Sequence, residues 1–308
     1  MALLAVASVN AYSQMNFGGY QVDDNSLKFS EKFADINYAG DENAYHTLDI
    51  YLPEQVKESY PVVIHIYGSA WFSNSSKGAA DLNTICAALL KAGYAVVTPN
   101  HRAISDAKYP AQIHDIKAVI RFVRGEAEKY KFDTSFVGIS GFSSGGHLAS
   151  LAATTRGEKV YTLREESVDL EGSLGNYTSF SSYVDAACDW SGPIDLLNMD
   201  CGESMKWKPS PEEQLIGVDK EGNEDKFALL SPITFIDKDD APMYIFHGRK
   251  DNVVPFCQGE RMYNALQAAG VESYHVYEDE GGHGMGMYSQ ENLTKMTNFF
   301  DKVRNSKK

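Results

Sequence analysis

One stretch constrains this chain more than any other: SFVGISGFSSGGHLASLAA, from Ser135 to Ala153. It opens on a short apolar run, Phe136-Val137-Gly138-Ile139, that reads as a buried strand. It closes on His147-Leu148-Ala149-Ser150-Leu151-Ala152-Ala153, small and helix-forming residues. Between them lies Gly141-Phe142-Ser143-Ser144-Gly145, a G-x-S-x-G. A strand that turns abruptly into a helix strains its corner residue, and glycines two before and two after let the neighbouring backbone pass. The corner serine then lifts its hydroxyl above the sheet at a helix N-terminus, where backbone N–H groups can stabilise an oxyanion. Centring on Ser144 or Ser140 puts Phe142 where a glycine is required, so only Ser143 fits the frame. By itself the motif is also compatible with an ordinary glycine-rich turn.

The rest of the chain sets the context. At 308 residues with 43% hydrophobic content, one large α/β domain is the expected count. A formal net charge of −14 argues against a nucleic-acid partner, which needs a basic surface. No later run of uncharged apolar residues is long enough to span a bilayer. The N-terminus, MALLAVASVNAYSQ, is apolar over Ala2–Val9 and then small and polar. We read residues 1–14 as a signal-peptide remnant whose positive n-region lies upstream, and residues 15–308 as one domain exported to the periplasm or secreted. The alternative is a cytoplasmic chain with an apolar end.

Strands are expected at residues 45–53, 62–67, 94–99, 136–139, 184–190, 242–247 and 273–277. Helices are expected at 75–91, 110–130, after Ser143, from Ser210, at 258–269 and at 290–303. Strands alternating with helices argue for a mostly parallel sheet with helices on both faces. Residues 192–230 break that rhythm and read as a cap-like insertion over the site. Of the four cysteines, Cys188 and Cys201 are placed to close a loop in an exported chain. No C-x-x-C occurs and no histidine pair has metal-ligand spacing, so neither metal nor cofactor is expected.

A serine nucleophile needs a base, an orienting carboxylate and an oxyanion pocket, each in a loop at the C-terminal edge of the strands. Asp251, in His247-Gly248-Arg249-Lys250-Asp251, follows a strand and is the carboxylate candidate. His283, in Glu280-Gly281-Gly282-His283-Gly284, follows the last strand and is the base candidate. His147 lies one helical turn past Ser143 and reads as packing under the elbow. The order Ser143…Asp251…His283 is that of an α/β-hydrolase. The N–H of Ser144 and those of Gly68, Ser69 and Ala70 are the oxyanion candidates.

On these residues the chain resembles a known family. Tyr67-Gly68-Ser69-Ala70-Trp71 resembles the H-G-G-G-W oxyanion segment of hormone-sensitive-lipase-like esterases and the related feruloyl and acetyl-xylan esterases. Pro99-Asn100-His101-Arg102, Gly145-Gly146-His147-Leu148-Ala149, Asp189-Trp190-Ser191-Gly192-Pro193 and His247-Gly248…Asp251 continue the likeness. Tyr67 stands where the family has histidine, and Ser69 and Ala70 where it has glycine. The resemblance implies ester hydrolysis through an acyl-enzyme. With the export-like leader and the aromatics of the insertion, it points to acetyl or feruloyl groups on plant carbohydrate. Tyr67, Trp71, Trp190 and Trp207 are then the expected substrate-binding aromatics. The expected partner is a small-molecule or oligosaccharide ester, with oligomeric state left open. A prolyl-oligopeptidase-like peptidase and a general carboxylesterase or lipase are the alternatives.

Overall fold

The computed structural model describes residues 27–78, 81–156, 159–201 and 206–307. The leader proposed over residues 1–14 lies outside the described residues. Ten strands are described: β1 (Glu31–Asn37), β2 (Thr47–Leu52), β3 (Tyr60–Ile66), β4 (Ala95–Pro99), β5 (Phe132–Phe142), β6 (Val160–Leu163), β7 (Glu166–Asp169), β8 (Ala186–Trp190), β9 (Met243–Gly248) and β10 (Ser273–Glu278). Eight of them form one sheet in the order β1-β2-β4-β3-β5-β8-β9-β10, and β6 and β7 make a separate hairpin. From β4 to β10 every pairing in the large sheet is parallel; β2 pairs antiparallel with both β1 and β4. Parallel neighbours need crossovers, and helices supply them.

Those helices are α1 (Ala87–Lys91), α2 (Ala111–Gly125), α3 (Ser144–Thr154), α4 (Pro211–Ile216), α5 (Glu224–Ala228), α6 (Cys257–Ala269) and α7 (Gln290–Ser306). Alternation along the strands divides the core in two. Val62, Ile64, Ile66, Val97, Ile139 and Ile245 face α2, α3 and α6. Val63, Val96, Phe136, Cys188 and Phe246 face α1 and α7. A strand apolar on both faces is stable only when both faces are covered, which is why β3 and β4 read as continuous apolar runs.

The expected helix at 75–91 starts later than its apolar spacing suggested. Ile85, Leu89 and Leu90 are buried as that spacing requires, but regular structure begins with a π-type turn at Leu82–Cys86. Upstream, Lys77 is drawn away from a helical path. Its ammonium pairs with Asp49 and Asp35, and its N–H donates to Asn100 Oδ1 at 3.0 Å. Strand β1 and the β6–β7 hairpin are not among the elements expected from the sequence. β1 is an edge strand with Lys32 and Asp35 among its residues and a bulge between Phe33 and Ile36, so it lacks the apolar run that marks a buried strand.

The segment 192–230, expected to be an insertion, is tied to the residues just before α2. Tyr109 N–H donates to Leu215 O at 3.0 Å and Tyr109 Oη to Leu229 O at 2.9 Å. The helix expected from Ser210 is α4, closed at its start by a capping box: Ser210 Oγ accepts from Glu213 N–H, and Glu213 Oε2 accepts from Ser210 N–H. Cys201 is bonded to Cys257 at the start of α6. This corrects the expected Cys188–Cys201 pairing. Cys188 lies on β8 with its side chain buried against α7, out of reach of the insertion.

The Cys201–Cys257 link closes a loop of 56 residues. A loop of that length stabilises a chain by about 4 kcal/mol in the chain-entropy account. Thiol titration under denaturing conditions is expected to count two thiols per chain before reduction and four after. Reduction of the folded protein is expected to lower its Tm; four thiols before reduction would refute the pairing. Among the described residues no helix is long and apolar enough to cross a membrane.

Candidate active site

The elbow is built by close packing. A Cβ on Gly145 would sit 2.1 Å from Ile66 O and 2.6 Å from Tyr67 O, so only glycine lets α3 start this close to β3. A Cβ on Gly141 would sit 2.1 Å from Gly145 O. Ser143 itself has φ 56° and ψ −122°, a conformation that costs a non-glycine residue roughly 1–3 kcal/mol. It is held there from both sides: Ser143 N–H donates to Trp190 O at 2.8 Å, and Ser143 O accepts from His147 N–H at 3.0 Å.

The three residues read from separate loops meet. Ser143 Oγ lies 2.9 Å from His283 Nε2. His283 Nδ1 lies 2.8 Å from Asp251 Oδ2. A carboxylate only accepts, so the proton on this side belongs to Nδ1. That leaves Nε2 free to accept from the Ser143 hydroxyl. Asp251 Oδ1 is fixed by the N–H groups of Val253 (3.0 Å) and Val254 (2.9 Å). Burial works against its ionisation, but hydrogen bonding and charge from His283, with His247 behind, hold its carboxyl below the usual aspartate range. His247, near the end of β9, is a further contributor. It sits under Asp251, with Nε2 donating to Val254 O at 3.0 Å, and burial pushes its pKa down. Its contribution is visible only once β9 and its loop are folded.

His147 packs beneath the elbow as expected. Burial pushes its pKa down to about 4, and Nε2 donates to Leu230 O at 2.9 Å. The aromatic expectations fare differently. Trp190 is 1% exposed and stacks on Phe246 at 3.9 Å, on the α1/α7 side of the sheet. Trp71 is 2% exposed, with its ring edge-on to His147 at 5.1 Å. Tyr67 is equally buried, stacked on His101 at 4.9 Å, and its hydroxyl donates to Ser73 O. Contrary to expectation, these three are buried and brace the site's floor and loop, presenting no face to a substrate. Strand positions and tight turns bury aromatics whatever their chemistry. Trp207, in the insertion, is half-buried.

The N–H groups expected around an oxyanion differ in their partners. A Cβ on Gly68 would lie 2.8 Å from Phe142 O and from Ser143 Cβ, so the 68–71 loop presses directly on Ser143. The N–H of Ser69 is not free in this arrangement; it donates to Ser144 Oγ at 2.9 Å. The Ser144 N–H lies in the first turn of α3, which has no intrahelical acceptor. Among the described residues, no acceptor reaches the Ala70 N–H.

One buried acid lies beside the elbow. Asp189 accepts from Gly192 N–H at 2.8 Å and from Ser150 Oγ at 3.4 Å, and burial pushes its pKa up to about 7. A carboxyl whose folded pKa is raised adds stability that is full below its unfolded pKa and lost as pH climbs through the folded value. The expected window is therefore about pH 4 to 7. Asp189→Asn keeps the acceptor for Gly192 and does not ionise. It is expected to match the wild type near pH 4 and to exceed it by up to about 4 kcal/mol at pH 8 in urea unfolding. Equal stability of the two proteins across that range would refute a buried, strained carboxyl. Among the described residues no group of three histidine, cysteine or acidic side chains is placed to hold a metal ion.

Comparison with known proteins fits this geometry. Residues 48–266 match the family model BD-FAE, more than half of the chain. The chain belongs to the BD-FAE family. A solved structure described as a truncated form of a carbohydrate esterase from gut microbiota superposes with TM-score 0.86 at 45% identity, covering 91% of this chain and 98% of that one. A bifunctional GH43-CE protein of Bacteroides eggerthii superposes with TM-score 0.85 at 50% identity, covering 89% of this chain but 35% of that one. Among curated proteins, a probable carboxylic ester hydrolase, LipM, of Mycobacterium tuberculosis is 28% identical over 235 residues, covering 76% of this chain. The chain spans about half the length of the curated relatives it matches. BD-FAE membership is carried by the family model, and the α/β-hydrolase fold by the mostly parallel sheet with helices on both faces. The fold expected from the strand rhythm is the one found.

Proposed function

We propose that this chain is a serine carboxylic ester hydrolase that removes acetyl or feruloyl groups from plant carbohydrate. The observation that carries the reading is the continuous Asp251–His283–Ser143 hydrogen-bond chain in a BD-FAE domain. The 45% identical carbohydrate esterase supports the sugar side of the substrate.

The mechanism follows from the geometry. His283 Nε2 takes the proton from Ser143 Oγ as that oxygen attacks the ester carbonyl carbon. The carbonyl oxygen becomes an oxyanion, stabilised by the N–H groups of Ser144 and Ala70. Asp251 keeps the imidazole in its Nδ1–H tautomer and stabilises the imidazolium. The C–O bond to the alcohol breaks, and the alcohol leaves with the proton from Nε2. Water, deprotonated by the same nitrogen, attacks the acyl carbon; the bond to Ser143 Oγ then breaks, Nε2 returns the proton to that oxygen, and the acid leaves. We assign residues 15–308 to one catalytic domain and the insertion at 192–230 to the cap that meets the alcohol. Trp207 is its aromatic contact. The Cys201–Cys257 bond and the apolar leader support an oxidising, extracytoplasmic location.

The test is a panel of acetylated and feruloylated oligosaccharides beside p-nitrophenyl acetate and an aminoacyl-prolyl amide. The reading expects the sugar esters to have the highest kcat/KM and the amide to be inert. Preference for the amide would replace it with a peptidase. Preference for p-nitrophenyl acetate over every sugar ester would reduce it to a general carboxylesterase, which the name of the mycobacterial relative favours.

A further inference from the structure

We infer that the Ser144 side chain is a positioning residue, holding the oxyanion loop against the nucleophile through its bond to Ser69. This rests on the esterase reading above but concerns a different atom from any step of it. The backbone N–H of Ser144 serves the oxyanion; the hydroxyl does separate work.

Three observations converge. First, Ser144 Oγ accepts the Ser69 N–H at 2.9 Å, joining two segments 75 residues apart, and Ser144 is 1% exposed. Ser69 is half-buried, so it is the Ser144 end of the bond that is shielded from competing water. Second, the loop it holds is strained. Ala70 has φ 48° and Trp71 φ 61°, both in the left-handed region that disfavours side chains. Such a conformation persists only where its surroundings over-determine it. Third, the restraints lie at the two ends of the loop. At the far end, the Trp71 ring is buried and its carbonyl accepts from Ile104 N–H at 2.9 Å. At the near end, Ser69 O accepts from Phe72 N–H at 3.0 Å, a bond inside the loop that fixes its shape but not its place. The bond to Ser144 ties the near end to α3, the element that carries the nucleophile.

The consequence is a division of labour among the N–H groups. That of Ser69 is spent on register, which leaves those of Gly68, Ala70 and Ser144 for the oxyanion. Loss of the Ser144 hydroxyl therefore removes no donor and touches no substrate atom. It lets the Ala70 N–H drift from where the oxyanion forms. A displaced donor weakens transition-state binding more than ground-state binding, so the cost falls on kcat.

The experiment compares wild type, Ser144→Ala, Ser144→Thr and Ser143→Ala with p-nitrophenyl acetate, each with a Tm. Affinity for phenylboronic acid, which forms a tetrahedral adduct on the serine, is measured alongside. For Ser144→Ala the expected result is kcat roughly 10- to 100-fold lower, KM within about threefold, and phenylboronate binding weakened in step with kcat. Ser144→Thr keeps the hydroxyl and is expected to recover most of that loss. A Ser144→Ala enzyme with kcat within about twofold of wild type, or higher, overturns the inference. So does a loss confined to KM with phenylboronate affinity unchanged. If threonine unfolds the protein, the alanine kcat and boronate results still decide. Ser143→Ala separates the two claims: an active Ser143→Ala enzyme defeats the esterase reading, whatever Ser144→Ala does.

Discussion

Ser143→Ala is expected to lower kcat at least about 10⁴-fold on p-nitrophenyl acetate while leaving the fold intact. The size follows from how much of the site converges on one oxygen. Ser143 Oγ is the atom that His283 Nε2 reaches, at 2.9 Å, and it sits at the one position where β5 turns into α3. Removing it leaves His283 with no proton to take and the oxyanion donors with no tetrahedral centre to stabilise. The stability effect should be small and of either sign. Alanine removes a hydroxyl but keeps the strained φ of 56°, whose support comes from backbone bonds to Trp190 and His147. The variant should therefore melt close to the wild type and fail to react with a fluorophosphonate. Near wild-type turnover from a variant confirmed by mass would sink the assignment of the nucleophile.

What could be read from the sequence was whatever local chemistry dictates. Gly141 and Gly145 fixed the frame of the elbow because no other residue tolerates a backbone 2.1 Å from its Cβ position. Asp251 and His283 were legible because each follows an apolar strand and lies in a loop, so both had to reach the edge where Ser143 sits. The remainder depended on long-range partners. Nothing near Ser144 in sequence signals that its hydroxyl meets the Ser69 N–H. Cys201 pairs with Cys257 because α6 begins beside the insertion, a neighbourhood set by β8, β9 and the loops between them. Gln258 is of the same kind: its Oε1 accepts from Ile194 N–H (2.9 Å) and Asp195 N–H (2.7 Å), clamping the insertion's first residues to α6. The aromatics failed for the opposite reason. Trp190 and Tyr67 lie in or beside the motifs that carry the family resemblance, and a motif does not say which way a ring points. Strand alternation instead sends the Trp190 ring to the opposite side of the sheet from α3.

Asp251→Asn is expected to lower kcat about 10⁴-fold with little change in KM or Tm. The argument turns on which atoms of residue 251 can be exchanged. Oδ1 accepts two backbone N–H groups, from Val253 and Val254, and these donors need an acceptor. An asparagine in this place keeps its carbonyl oxygen there. Its amide nitrogen is then directed at His283 Nδ1, where Oδ2 now sits at 2.8 Å. An amide nitrogen donates, so Nδ1 has to accept, and the ring proton moves to Nε2. The imidazole then presents an N–H to Ser143 Oγ where the reaction needs a lone pair. The geometry survives and the tautomer is wrong. Loss of the carboxylate also removes the charge that stabilises the imidazolium. Every hydrogen bond of the loop is still made, so the protein should fold and bind substrate normally. That separates this variant from one that merely loosens the loop, which would raise KM and lower Tm together. A kcat within about tenfold of wild type would show that His283 is oriented by something other than Asp251, and His247, 3.6 Å from the same oxygen, would be the residue to examine next.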